Sequence, residues 1–288
     1  MTIKTILVPL RGAAEDRAAL NAAFSVARAF EAHVEALFVT VDPRDTVPLL
    51  GEGMSGAMVD EIMRAAEDDS HTHLARAHRM FEEAVRDASI PFQAMPPGRE
   101  GPSARFRETA GRMEEVVPAE ARYFDLMLFV HCPVAENPQG FTVMESALLS
   151  AGRPLLLVPK SPPETIGRTV AVAWNGNRES ARVACAAMPF LRDAETVHVL
   201  TAETSATRAA AGARFSEHLA WHGIQAPLTV VAPNGGSVGR ALVDRAAALG
   251  ADLLVMGGYG HGRMREMILG GVTRDVLGHG GLPVLLAH

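Results

Sequence analysis

An aspartate followed by an apolar, strand-like run occurs twice in this chain, as DLMLFV from Asp125 and as DLLVMG from Asp252, 127 residues apart. Each is followed by a second short run, RPLLLVP (153–159) and LPVLLAH (282–288), offset by 129. Two matched pairs at nearly constant spacing mark a duplicated unit. The drift of two residues implies a small deletion in the first copy between its fourth and fifth strands, where the second copy carries a glycine-rich loop. Upstream, KTILVPL (4–10) and HVEALFV (33–39) flank a helical pattern from Ala13 to Phe30. The same order returns as TVAVAW (169–174), a helix from Ala181 to Leu191, TVHVLTA (196–202), a helix from Ala209 to Trp221, and PLTVVA (227–232). Strands alternating with helices predict parallel sheets. PKSPPETIG (159–167) has the composition of a linker, so the boundary is expected near Ser161, between domains 1–160 and 161–288.

Composition narrows the function classes. With 288 residues and 48% hydrophobic content the chain can build two ordinary α/β cores. A formal charge of -6 and a pI near 6.0 give no general field for nucleic acid or an anionic membrane, so neither is expected as a partner. Cys132 and Cys185 stand far apart and outside any CxxC pattern, which argues against a disulfide framework or structural zinc and for a reducing cytoplasm. The apolar run in MTIKTILVPLRG is too short for a signal or spanning segment. Met58 to Ala88 has the periodicity of a long amphipathic helix, after a GEGMSG loop (51–56). Its His71, His73 and His78 are read as a solvated face, since an i, i+2 pair does not share a helical side.

The chemistry concentrates in DLLVMGGYGHGRMREMILGGVTRDVL (252–277). Glycines let backbone N–H groups approach an anion closely, the chemistry of a phosphate cradle. Arg263 prevents a GxGxxG fingerprint, the loop follows the fourth strand rather than the first, and no Gly-Lys-Ser/Thr occurs, so neither a dinucleotide fold nor a P-loop is indicated. Gly257, two residues, Gly260, nine residues, Gly270 resembles the nucleotide loop of the universal stress protein family. The likeness extends to the closing LPVLLA strand and to VAWNGNRES (172–180), and with the duplication it covers the chain as a tandem protein of that family.

That resemblance implies an α/β fold of two tandem domains, each a five-stranded parallel sheet with helices on both faces, of the adenine nucleotide alpha hydrolase-like kind. It also implies ATP at the carboxyl edge of the sheet, with or without Mg2+, although no acidic pair beside the loop offers itself for the metal. Carried over by position, the site comprises Ala173, Trp174, Asn175 and Gly176 after the first strand of the second copy, then Met256, Gly257, Gly258, Gly260, His261 and Arg263. Gly270, Gly271, Val272 and Thr273 complete it at a helix start. ATP-binding members usually have Ser or Thr at the place of Gly271 and an acid at the place of Asn175. Trp174 is expected beneath the loop or against a base.

The first copy reads differently. HCPVAENPQGFTVMESALL (131–149) keeps only Gly140, and the first strand ends in Pro9, Leu10 and Arg11, so the first domain is expected to be empty of ATP. His131 and Cys132 are adjacent in an extended segment and therefore point apart, a poor nucleophile pair. His279 and His288 are isolated, and Cys185 is read as a small buried thiol in an Ala-rich helix. The favoured function is a regulatory stress-response module binding an adenine nucleotide in its second domain. A slow ATPase and a ligand-free scaffold are the alternatives, and HIGH and KMSKS elements of adenylyl-transferring enzymes do not occur. The closing strands can pair within the chain as a pseudo-dimer, and the long helix is a candidate surface for a homodimer.

Overall fold

The computed structural model describes residues 2–40, 56–95, 101–131, 133–202, 209–233, 236–258 and 271–288. In the first half, β1 (Thr5–Leu10), α1 (Asp16–Phe30), β2 (His33–Thr40), α2 (Gly56–Asp87) and β3 (Ser103–Ala110) lead to α3 (Met113–Ala121), β4 (Leu126–Val130), α4 (Pro138–Ser150) and β5 (Leu155–Val158). The second half repeats the order with β6 (Thr169–Ala173), α5 (Arg178–Asp193), β7 (Thr196–Ala202), α6 (Ala209–Trp221) and β8 (Leu228–Val231). It ends in α7 (Val238–Ala248), β9 (Leu253–Gly257), α8 (Gly271–His279) and β10 (Val284–Ala287).

All ten strands share one sheet, in the order β3-β2-β1-β4-β5-β10-β9-β6-β7-β8. Pairing is parallel within each half, and the halves meet in an antiparallel ladder in which Val284, Leu285 and Leu286 face Leu157, Leu156 and Leu155. The strands of the two halves therefore point in opposite directions, and their carboxyl edges lie at opposite ends of the sheet. Alternation of side chains distributes the apolar residues between two layers. Ile6, Val8, Val170, Val172, Leu253 and Val255 pack under α1, α2, α5 and α6. Leu7, Leu37, Ala171, Leu254 and Met256 pack under α3, α4, α7 and α8.

The repeated aspartates brace the start of each half. Asp125 accepts from the backbone N–H of Lys4 (2.9 Å) and Thr5 (3.0 Å), and Asp252 from those of Gly167 (3.0 Å), Arg168 (3.1 Å) and Thr169 (3.0 Å). One carboxylate thus ties the strand that begins each half to the strand that follows three crossovers later.

Strand β3 is absent from the sequence reading because SARFRETA carries too few apolar residues to announce a strand. At the sheet edge its charges are solvated or paired: Arg105 and Arg107 both reach the buried Glu35 of β2, at 2.5 Å through their Nε atoms. Residues 51–55 of the expected loop lie outside the described residues, and Gly56 stands in α2. His73 Nδ1 donates to the Arg11 carbonyl (2.9 Å), His78 pairs with Glu82 (3.5 Å), and His71 is exposed. Among the described residues no group of His, Cys, Asp or Glu could hold a metal, and no helix is long and apolar enough to cross a membrane.

Asp252→Ala should cost about 2 kcal/mol, because three backbone donors lose a charged acceptor and only water replaces it. Urea unfolding of the variant beside the parent chain measures this. A loss below a few tenths would show that the brace carries no stability.

Candidate functional site

Strand order in the second half reverses direction at β6: from there the chain moves outward to β7 and β8, then returns to the other side with β9. The adjoining helices cover opposite faces of the sheet on either side of this point. Ligands of open α/β sheets bind at such switch points. Ala173 pairs with Met256 in register, so Trp174–Gly176 and Gly257–Gly258 leave the sheet side by side.

The turn after β6 is built locally. Trp174 N–H still donates to the Leu200 carbonyl (2.8 Å), after which Asn175 Oδ1 accepts from Asn177 N–H (3.0 Å) and Ser180 Oγ (2.6 Å). This asparagine turn carries Gly176 into the left-handed region at φ 79°, where a side chain would be strained. The exposed Asn175 keeps its amide Nδ2 for an outside acceptor, having no other bond among the described residues. The Trp174 ring stacks face to face on Phe215 of α6, with centroids 3.9 Å apart and planes 4° apart.

The glycines have separate roles. A Cβ on Gly257 would stand 2.8 Å from the backbone of Glu179 and Ser180, so the first turn of α5 rests directly on the end of β9. Gly258 donates to the Ala287 carbonyl (2.9 Å), receives the His288 ring near its own carbonyl (3.3 Å), and lies against Leu148 of the first half. Gly271, by contrast, is exposed with open space where a Cβ would stand. Val272 is half-buried and Thr273 buried, because α8 seats tightly on Gly239 of α7. Gly260, His261, Arg263 and Gly270 lie outside the described residues. Behind this edge, burial opposes ionisation of Glu179, yet hydrogen bonding to Arg178 and the nearby His288 hold its carboxyl below the usual range.

The matching edge of the first half is filled. Arg11 occupies the position of Asn175, and its guanidinium reaches to 2.7 Å from where a Cβ on Gly140 would stand. Asn137 caps α4 by accepting from Gly140 N–H (2.8 Å), and buried Asp16 accepts from Arg11 and Ala13 N–H. The space left there is about 30 Å³, room for a single water. Burial raises the Asp16 carboxyl above its ordinary range against these hydrogen bonds. Cys132 lies outside the described residues, so the His131–Cys132 pairing is not described. His131 packs instead on Gly280, across the seam between the halves. Cys185 corrects the sequence reading: it is exposed, because it projects from the outer side of α5 while Val183, Ala184 and Ala187 face the sheet.

The fold is a mostly parallel α/β sheet with a topological switch point at the carboxyl edge of its second half. Residues 167–288 match the universal stress protein family, and the second half is a domain of that family. No curated protein matches the chain. A universal stress protein from Archaeoglobus fulgidus superposes with a TM-score of 0.67 at 16% identity, covering 99% of this chain and 96% of that one. A putative universal stress protein from Pseudomonas aeruginosa gives 0.57 at 19% identity, covering 99% and 93%. At these identities the likeness is one of fold, and it extends that fold over the first half.

Gly257→Ala should destabilise the chain by about 2 kcal/mol, since backbone rather than a flexible side chain blocks the new methyl, whereas Gly271→Ala should be nearly neutral. Thermal melts of the two variants test this, and equal effects would refute the packing role of Gly257. Burial holds the His131 imidazole below its ordinary value, with Lys160 adding to the effect and Glu136 opposing it. The unfolded chain therefore binds the proton first, and this contribution to stability is present above about pH 6.5 and lost as the pH falls below it. His131→Gln should flatten the decline in unfolding free energy between neutral pH and about pH 5, measured by urea titration at each pH.

Proposed function

We propose that the chain is a regulatory binding protein whose second half takes an adenine nucleotide, ATP being the leading candidate, across the switch point between β6 and β9. The observation that carries the reading is the glycine spacing from Gly257 to Gly271 at the carboxyl edge of a universal stress protein domain. The groups present fit an anionic, hydrogen-bonding ligand. Asn175 offers a free amide, Gly271 leaves open space, and the edge has no side chain bulk at Gly176 or Gly258. In this reading Asn175 contacts the base or ribose by hydrogen bonding without charge. Gly260, Gly270 and Gly271 approach the phosphates through backbone N–H groups, and Arg263 supplies a cation to phosphate oxygens. His261 and Thr273 flank them. Gly257 contributes to the site by seating α5 rather than by touching the ligand.

Mg2+ would arrive with the nucleotide, because the described residues assemble no carboxylate set for it. The same lack of an acidic pair favours binding over catalysis, and nucleotide occupancy would act by ordering the edge that abuts Leu148 of the first half. A reducing cytoplasm suits a chain with an exposed, unpaired thiol at Cys185.

Isothermal titration of the full chain with ATP should show one saturable site, abolished by Gly271→Trp with little change in melting temperature, because that substitution fills open space. Absence of heat from the parent chain removes the nucleotide reading and leaves the ligand-free scaffold. Steady phosphate release lost in the same variant would instead establish a slow ATPase.

A further inference from the structure

We infer that the groove between α5 and α6 binds a free amphiphilic carboxylate, an unbranched alkyl chain carrying one acidic head. The groove encloses about 650 Å³, within the range of small-molecule sites. Its floor is apolar, formed by Trp174, Ala184, Met188, Phe215 and Leu219. Helix α6 lines it from Ala211 to His222, a run of about 16 Å at 1.5 Å per residue, which suits a chain of about a dozen carbons. Arg214, His218 and His222 stand on its exposed side, and among the described residues no carboxylate lines it. Arg214 has no ion pair or hydrogen bond among the described residues. An apolar slot edged by a guanidinium and two imidazole rings is complementary to an apolar body with a negative, hydrogen-bond-accepting head.

The duplicated half shows that the opening is particular to this place. The turns that end α2 and α6 correspond, since Ile90 N–H donates to the Val85 carbonyl and Ile224 N–H to the Leu219 carbonyl, each at 3.0 Å. In the first half α1 is latched onto α2: Arg17 pairs with Asp87 and Glu83, and Arg28 reaches the Ala88 carbonyl. The residues matching Arg17 and Asp87 are Ala181 and Trp221, so that latch is gone. Those matching Leu20 and Phe24 are Ala184 and Met188, which lowers the floor, while Met80, Ala84 and Ala88 become Arg214, His218 and His222. Loss of the latch, loss of bulk and gain of charge thus fall on one surface. A docking helix or a second copy would need the apolar floor but not an arginine and two histidines beside it.

The groove meets the proposed nucleotide edge at Trp174 and Gly176, and its test contains no nucleotide, so the two readings fail separately. Dodecanoate, kept below its micelle concentration, is titrated calorimetrically into the full chain. One saturable site is expected, with Arg214→Glu weakening it at least tenfold and Ala184→Phe abolishing it. Uncharged dodecyl maltoside should bind at least tenfold more weakly than dodecanoate. Ala184→Leu, which restores the residue of the first half, should weaken binding several-fold and keeps the test readable where Ala184→Phe fails to fold. No saturable binding by the parent chain overturns the inference, as does binding unchanged in Arg214→Glu and Ala184→Leu. Sedimentation supplies the other adverse result: a dimer that Ala184→Leu dissociates and dodecanoate leaves intact assigns the groove to a second copy.

Discussion

The short antiparallel ladder between β5 and β10 is the constraint on which the molecule depends. Neither half can leave its last strand as an open edge, because LLLV and VLLA are apolar on both sides and fully buried. An exposed strand of that kind would be a template for aggregation. Pairing the two closing strands solves the problem within one chain and joins two sheets into one. It also imposes the antiparallel sense that puts the two carboxyl edges at opposite ends. Two sites in one chain therefore cannot face each other, and each must evolve against its own surroundings. The second-half edge abuts α4 of the first through Gly258 and Leu148, and the first-half edge abuts the second through His131 and Gly280.

The two halves share one order of strands and helices, and a few residue differences set them apart. An arginine where the second half has asparagine fills one switch point from within and holds its place beside a capped helix. The asparagine forms a compact turn and leaves an amide outward. The helices above diverged in the opposite sense. Charged residues latch α1 to α2 in the first half, whereas alanine, methionine and tryptophan leave α5 and α6 apart. Between the helices one half is closed where the other is open.

Most of the fold was legible because buried parallel strands are continuous apolar runs and their helices repeat with a helical period. The strand β3 escaped notice because an edge strand whose arginines meet Glu35 has no such signature. The same limit applies to the site. The glycine block was visible as a cluster, but spacing cannot distinguish a glycine that admits a ligand from one that admits a helix. Gly257 belongs to the second kind, since the backbone of Glu179 and Ser180 occupies its side-chain space, and Gly271 retains the open space of the first. Trp174 was expected beneath the loop or against a base, and the ring it stacks on in the structure, Phe215, lies 41 positions away on α6, a contact no local pattern announces.

The amino-acid sequence by itself determined the repeated alternation of strand and helix, the place of the glycine block in the second half and its lack of a match in the first. All of these are periodicities or compositions of neighbouring residues, which local physics reads directly. Only the tertiary structure decided which strands border each other at the switch point, which glycine is open, that Cys185 faces outward and that an apolar groove edged by Arg214 lies between α5 and α6. Those properties arise from contacts between segments far apart in the chain, where the available volume and the neighbouring charge are set by residues no local pattern contains.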